Sequence, residues 1–186
     1  MSTHTTKKKR FLYNGNKSKQ INAVGVLFVK YDSDSDTYNF LTLTNKNSKN
    51  PKLNGLISDI GGKVEKEDTS PIKTLARELF EETNGSLYYT YEDNSIEYLS
   101  VEKLQTLIAN NKIKIIYNEY SKYLLYFVKF PSTLSIDIEQ FGDVEELTGI
   151  IRELNWYTSK DLLKTLHFRL RNKTITDTIK NIKTIF

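Results

Sequence analysis

The sequence predicts an α/β fold built as one domain. Residues 21–29 are mostly apolar and β-branched, which is typical of a strand covered on both faces. Residues 71–83 carry apolar side chains at helical spacing and predict an amphipathic helix packed on a sheet. A chain of 186 residues is long enough to bury a core and suits one domain better than two.

The first half of the chain predicts a tail, three strands and one helix. Residues 1–18 are polar and contain a basic run, so we expect a flexible basic tail ahead of a single domain that spans residues 19–186. The expected strands are a central strand, its hairpin partner and a short third strand, at residues 21–29, 38–44 and 56–57. Ser70 is a suitable helix cap and Pro71 a suitable first residue, and the helix should end near Asn84.

The second half predicts three further strands and three helices. The strands are expected at residues 112–118, 123–130 and 150–157, and the helices at residues 101–109, 160–171 and 174–186. An acidic loop precedes the strand that contains Trp156, and its acidic residues are Asp137, Glu139, Asp143, Glu145 and Glu146. No internal repeat is visible, so these segments belong to the same domain.

The composition limits the chemistry that the protein can perform. There are no cysteines and only two histidines, which excludes disulfide-linked partners, thiolate metal sites and a cysteine nucleophile. A metal would therefore be bound by oxygen ligands, which favours Mg²⁺ or Mn²⁺. The net charge of +4 is compatible with phosphate-rich partners. No apolar run is long enough to cross a bilayer and no secretory signal is visible, so we expect no membrane partner and an intracellular, cytoplasmic protein.

One face of the helix predicted at residues 71–83 carries three carboxylates. Glu78, Glu81 and Glu82 lie at positions i, i+3 and i+4, so their side chains project from the same face. Like charges at this spacing cost roughly 0.2–0.5 kcal/mol per pair, and a cation placed among them explains the arrangement best. Ahead of the helix, Gly61 and Gly62 permit a tight loop whose backbone N–H groups can approach an anionic ligand closely.

Residues 62–85 resemble the Nudix box, the signature of the Nudix hydrolases. The family pattern is Gly, five residues, Glu, seven residues, Arg-Glu, an aliphatic residue, any residue, Glu-Glu, any residue and Gly. Gly62, residues 77–82 and Gly85 match this pattern. The three departures are Asp68 in place of the first Glu, one extra residue between Asp68 and Arg77, and Asn84 as an additional residue before Gly85. The extra residue precedes the helix, so the spacing within the acidic face is unchanged.

The resemblance implies a Nudix-type α/β/α sandwich with a mixed central β-sheet. It also implies water attack on phosphorus in a nucleoside-diphosphate-linked substrate, with Mg²⁺ or Mn²⁺ as cofactor. The implied metal ligands are Glu78, Glu81, Glu82 and, as a further ligand, the carbonyl of Gly62. The implied role of Arg77 is to orient Glu78 or the first acid of the box, for which Glu67 is an alternative to Asp68.

The general base differs between branches of the family, so the resemblance leaves it open. The implied catalytic residues are Arg77, Glu81, Glu82, Glu145 and Glu146. The base is either Glu81 in the box or an acid of the later loop. The loop candidates are Glu145, Glu146, Asp143 and Glu139. Of all the candidates, Glu81 included, we favour Glu145 or Glu146, because their loop should open at the same end of the sheet as the box.

The box identifies the reaction and not the group attached to the diphosphate. We favour capped RNA, and hence mRNA decapping, because basic clusters near both ends can follow an RNA backbone and tyrosines can stack on a base. The substrate-binding candidates are Lys63, Arg169 and Arg171. Small nucleotides and diphosphoinositol polyphosphates stay open as substrates. A Nudix-like module that binds a nucleotide or RNA without cleaving it is the alternative of another class.

Overall fold

A mixed sheet of six strands forms the centre of the fold. The structure is a computed structural model and describes residues 10–144 and 149–186. The strands are β1 (Phe11–Leu12), β2 (Gln20–Ile21), β3 (Ala23–Asp32), β4 (Thr37–Asn45), β5 (Ile57–Ser58), β6 (Leu87–Thr90), β7 (Ile96–Tyr98), β8 (Ile113–Asn118), β9 (Tyr123–Lys129), β10 (Leu134–Ile136) and β11 (Arg152–Thr158). The helices are α1 (Pro71–Glu82), α2 (Val101–Asn110), α3 (Ile138–Phe141), α4 (Ser159–Lys164) and α5 (Lys173–Lys180). Within these described ranges, no helix is long and apolar enough to span a membrane.

β3 is the central strand of the large sheet, whose order is β11-β4-β3-β9-β8 with β5 paired to β4. β3 pairs antiparallel with β4 and parallel with β9, so the sheet is mixed. Its residues from Val24 to Val29 are all buried. Burial on both sides explains why this stretch is apolar without alternation, and it confirms the predicted central strand.

Helices cover both faces of the large sheet. On one face, Val26 and Phe28 of β3 belong to a buried cluster with residues of α1 and α2. On the other face, Leu27 and Val29 belong to a second cluster with residues of α4 and α5. Alternate residues of one strand therefore reach opposite layers, as the period of two requires. This arrangement confirms the α/β class and the sandwich implied by the family resemblance.

A second sheet of three strands, in the order β10-β6-β7, was not predicted. β6 has four residues and the other two strands have three each. Runs this short carry too little periodicity to be recognised locally. The sheet depends on contacts between distant segments, since Tyr89 of β6 lies opposite Leu134 of β10.

Regular structure in the described chain begins before residue 19. The sequence predicts a flexible tail at residues 11–15, but these residues contain β1 and a short 3-10 turn, and β1 pairs with β2. The Tyr13 ring stacks on the Tyr117 ring of β8, with 4.9 Å between the ring centroids. Residues 1–9, which hold most of the basic run, lie outside the described residues.

The helix predicted at residues 160–171 is wrong in its second half. α4 ends at Lys164, after which the chain forms a parallel bridge between Leu166 and Ile57 of β5. This backbone pairing outweighs the helix propensity of the segment. The remaining part forms a 3-10 turn at Phe168–Leu170, so the basic residues do not share an exposed helix face.

The segment after β5 lies directly across the beginning of β3. Val26 N donates a hydrogen bond to Ile60 O over 2.8 Å. A Cβ atom placed on Gly25 would come within 1.9 Å of both Asp59 Oδ2 and the Tyr123 hydroxyl oxygen. The absence of a side chain at Gly25 therefore allows a buried carboxylate and a β9 tyrosine to meet over the start of β3.

We expect Gly25→Ala to lower the free energy of unfolding by about 3 kcal/mol, the upper part of the usual range for an overpacked site. The added methyl group would collide with two buried polar groups that cannot move into solvent. Urea unfolding measures the change. Gly15→Ala is the control, because a Cβ at Gly15 meets no atom within 4 Å and only its φ of +71° is unfavourable. Equal losses in both variants would contradict the packing argument.

Candidate active site

The diglycine loop, Gly61 and Gly62, lies against both β3 and α1. A Cβ atom on Gly61 would lie 2.2 Å from Val24 O, so the loop can approach β3 only without a side chain. A Cβ atom on Gly62 would lie 2.2 Å from Glu78 Oε2. The two glycines therefore bring the loop backbone next to the carboxylates of α1.

The ends and the buried face of α1 determine where its carboxylates point. Lys73 N donates to the Ser70 hydroxyl over 3.1 Å, which caps the first turn. Leu75 and Leu79 are fully buried in the core. At the other end, Asn84 adopts a left-handed conformation with φ of +50°. These contacts confirm the predicted helix and keep its acidic face turned toward the loop.

Glu82 is strongly enclosed, with 12% of its side chain exposed. Its Oε2 accepts a hydrogen bond from Gly61 N over 2.6 Å, and its Oε1 accepts one from Arg152 Nη1 over 2.5 Å. Burial raises the pKa of Glu82, while the charges of Arg152 and Arg169 act in the opposite direction. One backbone amide and one guanidinium of β11 therefore hold this carboxylate.

Arg77 joins two further carboxylates of α1 to the loop. Its Nη1 donates to Glu81 Oε2 over 2.8 Å, and its Nη2 lies 3.0 Å from Glu78 Oε1. The same Nη2 donates to the carbonyl of Lys63 over 2.9 Å. Arg77 thus contacts Glu78 and the backbone next to the diglycine loop, and its role in orienting Glu78 stays a prediction.

Asp68 occupies the position of the first acid of the box. Its side chain is 2% exposed and accepts from Arg77 Nε over 3.2 Å and from Glu65 N over 2.8 Å. Burial alone would raise the pKa of Asp68, but these hydrogen bonds hold it below its ordinary value. Glu67, the alternative for this position, is exposed. The shorter Asp therefore reaches the box arginine in spite of the extra residue before the helix.

The region around Gly62 fits a hard divalent cation in its donor chemistry. Glu78 is 13% exposed, and burial together with the charges of Glu82 and Glu81 raises its pKa to about 7 despite the nearby Arg77. A positive charge beside Gly62 would offset that cost. Among residues 10–144 and 149–186, no three acidic or histidine side chains are gathered as metal ligands. Glu81 and Glu82 are instead paired with arginines.

The predicted substrate-binding residues lie in different environments. Lys63 is exposed beside the diglycine loop. Arg171 is exposed as well, and its Nε donates to Leu166 O over 2.8 Å. Arg169 points into the protein, where its Nε donates to Asp59 Oδ1 over 2.8 Å and 24% of its side chain is exposed. The structure therefore brings Arg169, but not Arg171, into contact with the segment that leads into the loop.

The acidic loop before β11 begins beside the end of α1. Asn84 Nδ2 donates to Phe141 O over 2.8 Å and to Val144 O over 2.9 Å. Glu139 and Asp143 are exposed in this region. Glu145 and Glu146, the favoured base candidates of the loop, lie outside the described residues.

Three residues that surround the acidic face were not predicted as site residues. They are Asp59, Tyr123 and Arg152. Arg152 could have been noticed as a charged residue at the beginning of a strand, and Asp59 as an acid just before two glycines. Neither signal identifies a partner, because both partners come from distant parts of the chain.

The sequence profile of the NUDIX domain family matches residues 21–177. The NUDIX domain of Shewanella oneidensis NrtR complexed with ADP ribose is similar in structure, with 13% identity, a TM-score of 0.47 and 88% of each chain covered. A C. elegans Ap4A hydrolase binary complex shows 14% identity and a TM-score of 0.45, covering 88% of this chain and 96% of that chain. A NUDIX hydrolase from Nitrosomonas europaea shows 16% identity and a TM-score of 0.41, covering 88% and 89%. No curated protein matches the chain.

His167, next to Arg169, leads to a prediction about acid stability. Burial, reinforced by the charges of Arg169 and Arg171, lowers the pKa of His167 from 6.5 to about 4. The unfolded chain therefore binds this proton more readily than the folded one. Neutral His167 therefore contributes roughly 3 kcal/mol to the free energy of unfolding above about pH 6.5. This contribution is lost as the pH falls toward 4.

We expect His167→Asn to lose less stability than the wild type between pH 7 and pH 4. The asparagine side chain retains an acceptor in place of Nδ1 of His167, which receives a hydrogen bond from Arg169 N over 3.2 Å. Urea unfolding at several pH values measures the difference. If the two proteins show parallel stability curves, His167 is not the group that binds the proton on unfolding.

Proposed function

The chain belongs to the NUDIX domain family, and we propose that it hydrolyses a diphosphate bond in a nucleoside-diphosphate-linked substrate. Family membership supplies the enzyme class, that of a pyrophosphohydrolase. The observation that carries the proposal is the pair of enclosed carboxylates, Glu78 and Glu82, beside the diglycine loop. Even with Arg77 at 3.0 Å, the pKa of Glu78 is raised to about 7. The charged form of Glu78 is therefore unfavourable without further positive charge.

We propose Mg²⁺ or Mn²⁺ as the cofactor, because every donor in this region is an oxygen. The residues that would hold it are Glu78, Glu81, Glu82 and the carbonyl of Gly62. When bound, such an ion offsets the charge of the diphosphate and lowers the pKa of a bound water. In the structure, Arg77 and Arg152 supply the counter-charges to Glu81 and Glu82.

The contribution of the chain itself is to hold charged groups in fixed positions. Arg77 connects Glu78, Glu81 and the carbonyl of Lys63, so its guanidinium couples α1 to the loop. Asp68 accepts hydrogen bonds from Nε and Nη2 of the same guanidinium. Charged groups that are already in place need no reorganisation during the reaction, which is the main electrostatic advantage of an enzyme over water.

Within the box, Glu81 is a better candidate for the general base than Glu78. A general base must exchange its proton with water, and 30% of the Glu81 side chain is exposed, against 13% for Glu78. Glu145 and Glu146 remain the base candidates predicted from the sequence. Single Gln substitutions at the three positions would rank them, since loss of a general base lowers the rate by roughly 10²- to 10⁴-fold.

We propose a small nucleoside-diphosphate-linked molecule as the first candidate substrate and capped RNA as the second. The sequence favours capped RNA through basic residues near both ends and tyrosines that can stack on a base. Several cations of the C-terminal group are engaged with acidic residues, in the pairs Arg169–Asp59, Lys164–Asp161 and Lys173–Asp177. The pair with buried Asp59 withdraws Arg169 from the cations that could follow an RNA backbone, on which affinity for long RNA depends. This supports a compact substrate.

We expect Glu82→Gln to lower turnover by about 100-fold or more at saturating Mg²⁺, because replacing even an outer-shell partner of a metal typically costs 10- to 100-fold. Mn²⁺ titration in the absence of substrate should show weaker binding. Glu92→Gln is the matched control, since Glu92 is exposed and lies outside the site. Near-normal hydrolysis by Glu82→Gln, with its fold intact, would refute the metal role.

We expect phosphate-containing products from free nucleotides rather than only from long RNA. Nucleoside triphosphates, sugar nucleotides, dinucleoside polyphosphates, free cap nucleotide and cap-labelled RNA should be compared with Mg²⁺ and with Mn²⁺. Release of cap diphosphate from long RNA alone would reverse the order of the two candidates. Binding without any product would favour the non-catalytic module.

A further inference from the structure

The carboxylate of Asp59 is fully buried two residues before the diglycine loop, outside the Nudix box. Oδ2 accepts a hydrogen bond from the Tyr123 hydroxyl of β9. Oδ1 accepts one from Arg169 Nε over 2.8 Å, and Arg169 Nη2 lies 2.7 Å from the same oxygen. Both carboxylate oxygens are therefore engaged by groups from distant parts of the chain, as a buried charge requires.

Arg169 holds the backbone of Asp59 as well as its side chain. Its Nη2 donates to Asp59 O over 3.0 Å. Its guanidinium carbon lies 5.2 Å from the centre of the Tyr123 ring, so the cation also rests on an aromatic face. A lysine could supply the charge but not two directed donors and a planar surface. The guanidinium therefore sets the direction in which the chain leaves Asp59.

The path from Asp59 to the acidic face of α1 is short and hydrogen-bonded throughout. Ile60 exchanges two backbone hydrogen bonds with Val26, over 2.8 and 3.1 Å. The next residue, Gly61, donates its N–H to Glu82 Oε2 over 2.6 Å. The charge of Arg169 also acts on Glu82 directly and favours its ionised form. Asp59 is therefore linked to the N–H that meets Glu82 by two residues of hydrogen-bonded backbone.

We propose that Asp59, Tyr123 and Arg169 form a positioning clamp for Glu82. The clamp acts through the backbone of residues 59–61 and contacts neither substrate nor metal. The catalytic consequence rests on the proposed function, because it presumes that Glu82 serves the hydrolysis. Arg169 is accordingly a positioning residue, which replaces the substrate-binding role expected from the sequence.

Tyr123→Phe is the decisive variant, because it removes one hydroxyl and retains the ring under Arg169. We expect the Gly61 amide proton resonance to shift, and kcat to fall about tenfold at unchanged KM, as for the loss of an outer-shell partner. Tyr117→Phe is the matched control. It also deletes a tyrosine hydroxyl that donates to the protein, to Gln20 O over 2.9 Å, but Tyr117 packs on the opposite face of the sheet from Tyr123. Tyr117→Phe should change neither the Gly61 amide resonance nor kcat.

Variants of Arg169 separate positioning from substrate contact. Arg169→Gln should lower kcat and shift the Gly61 resonance. In Arg169→Lys, both kcat and the resonance should lie closer to their wild-type values than in Arg169→Gln. Asp59→Asn combined with Arg169→Gln should be no worse than the stronger single change, because both act through one unit.

The clamp is refuted if Tyr123→Phe shifts the Gly61 amide proton resonance no more than the control Tyr117→Phe does. It is equally refuted if Arg169→Gln raises KM at unchanged kcat, since that result assigns Arg169 to the substrate. The amide measurement requires neither substrate nor metal. If the wild type hydrolyses nothing, the proposed function fails while the resonance still decides whether the clamp exists.

Discussion

The burial of the Glu82 carboxylate is the constraint on which the rest of the site depends. A carboxylate removed from water needs donors that replace its hydration, and the structure provides the Gly61 amide and the Arg152 guanidinium. The amide can reach Glu82 only because Gly61 lies directly on β3, where a side chain would collide with Val24 O. One buried charge therefore accounts for the close loop, the glycine and the arginine on β11.

The charged groups around α1 form one set centred on Arg77 and two further ion pairs. Arg77 joins acids of the helix and the preceding loop, while Arg152 pairs with Glu82 and Arg169 pairs with Asp59. In such a set, loss of one member leaves a buried charge uncompensated and is more damaging than loss of a whole pair. The positions of the acids in the site are therefore defined jointly by the sheet, α1 and the C-terminal segment.

Local patterns predicted the parts of the fold that local contacts determine. The cap at Ser70, the acidic spacing of α1 and the apolar run of β3 each lie within a few residues, and all three are present in the structure. The features that the sequence did not predict depend on pairing between distant segments. The small sheet needs Leu134 beside Tyr89, α4 ends early because β5 pairs with the chain after it, and Arg169 finds Asp59 110 residues away. No periodicity or spacing encodes such partners.

The acids of α1 and two of their counter-charges lie far apart along the chain. The ribosome therefore synthesises the acids well before these arginines. Synthesis proceeds from the N-terminus, so α1 emerges together with Arg77 but before Arg152 and Arg169 exist. A nascent chain that ends before residue 152 already contains the complete signature, yet it lacks both outer guanidiniums. The acidic face therefore lacks these two counter-charges until Arg152 and Arg169 have been synthesised. Its final electrostatic environment is established only when the C-terminal turn docks on Asp59.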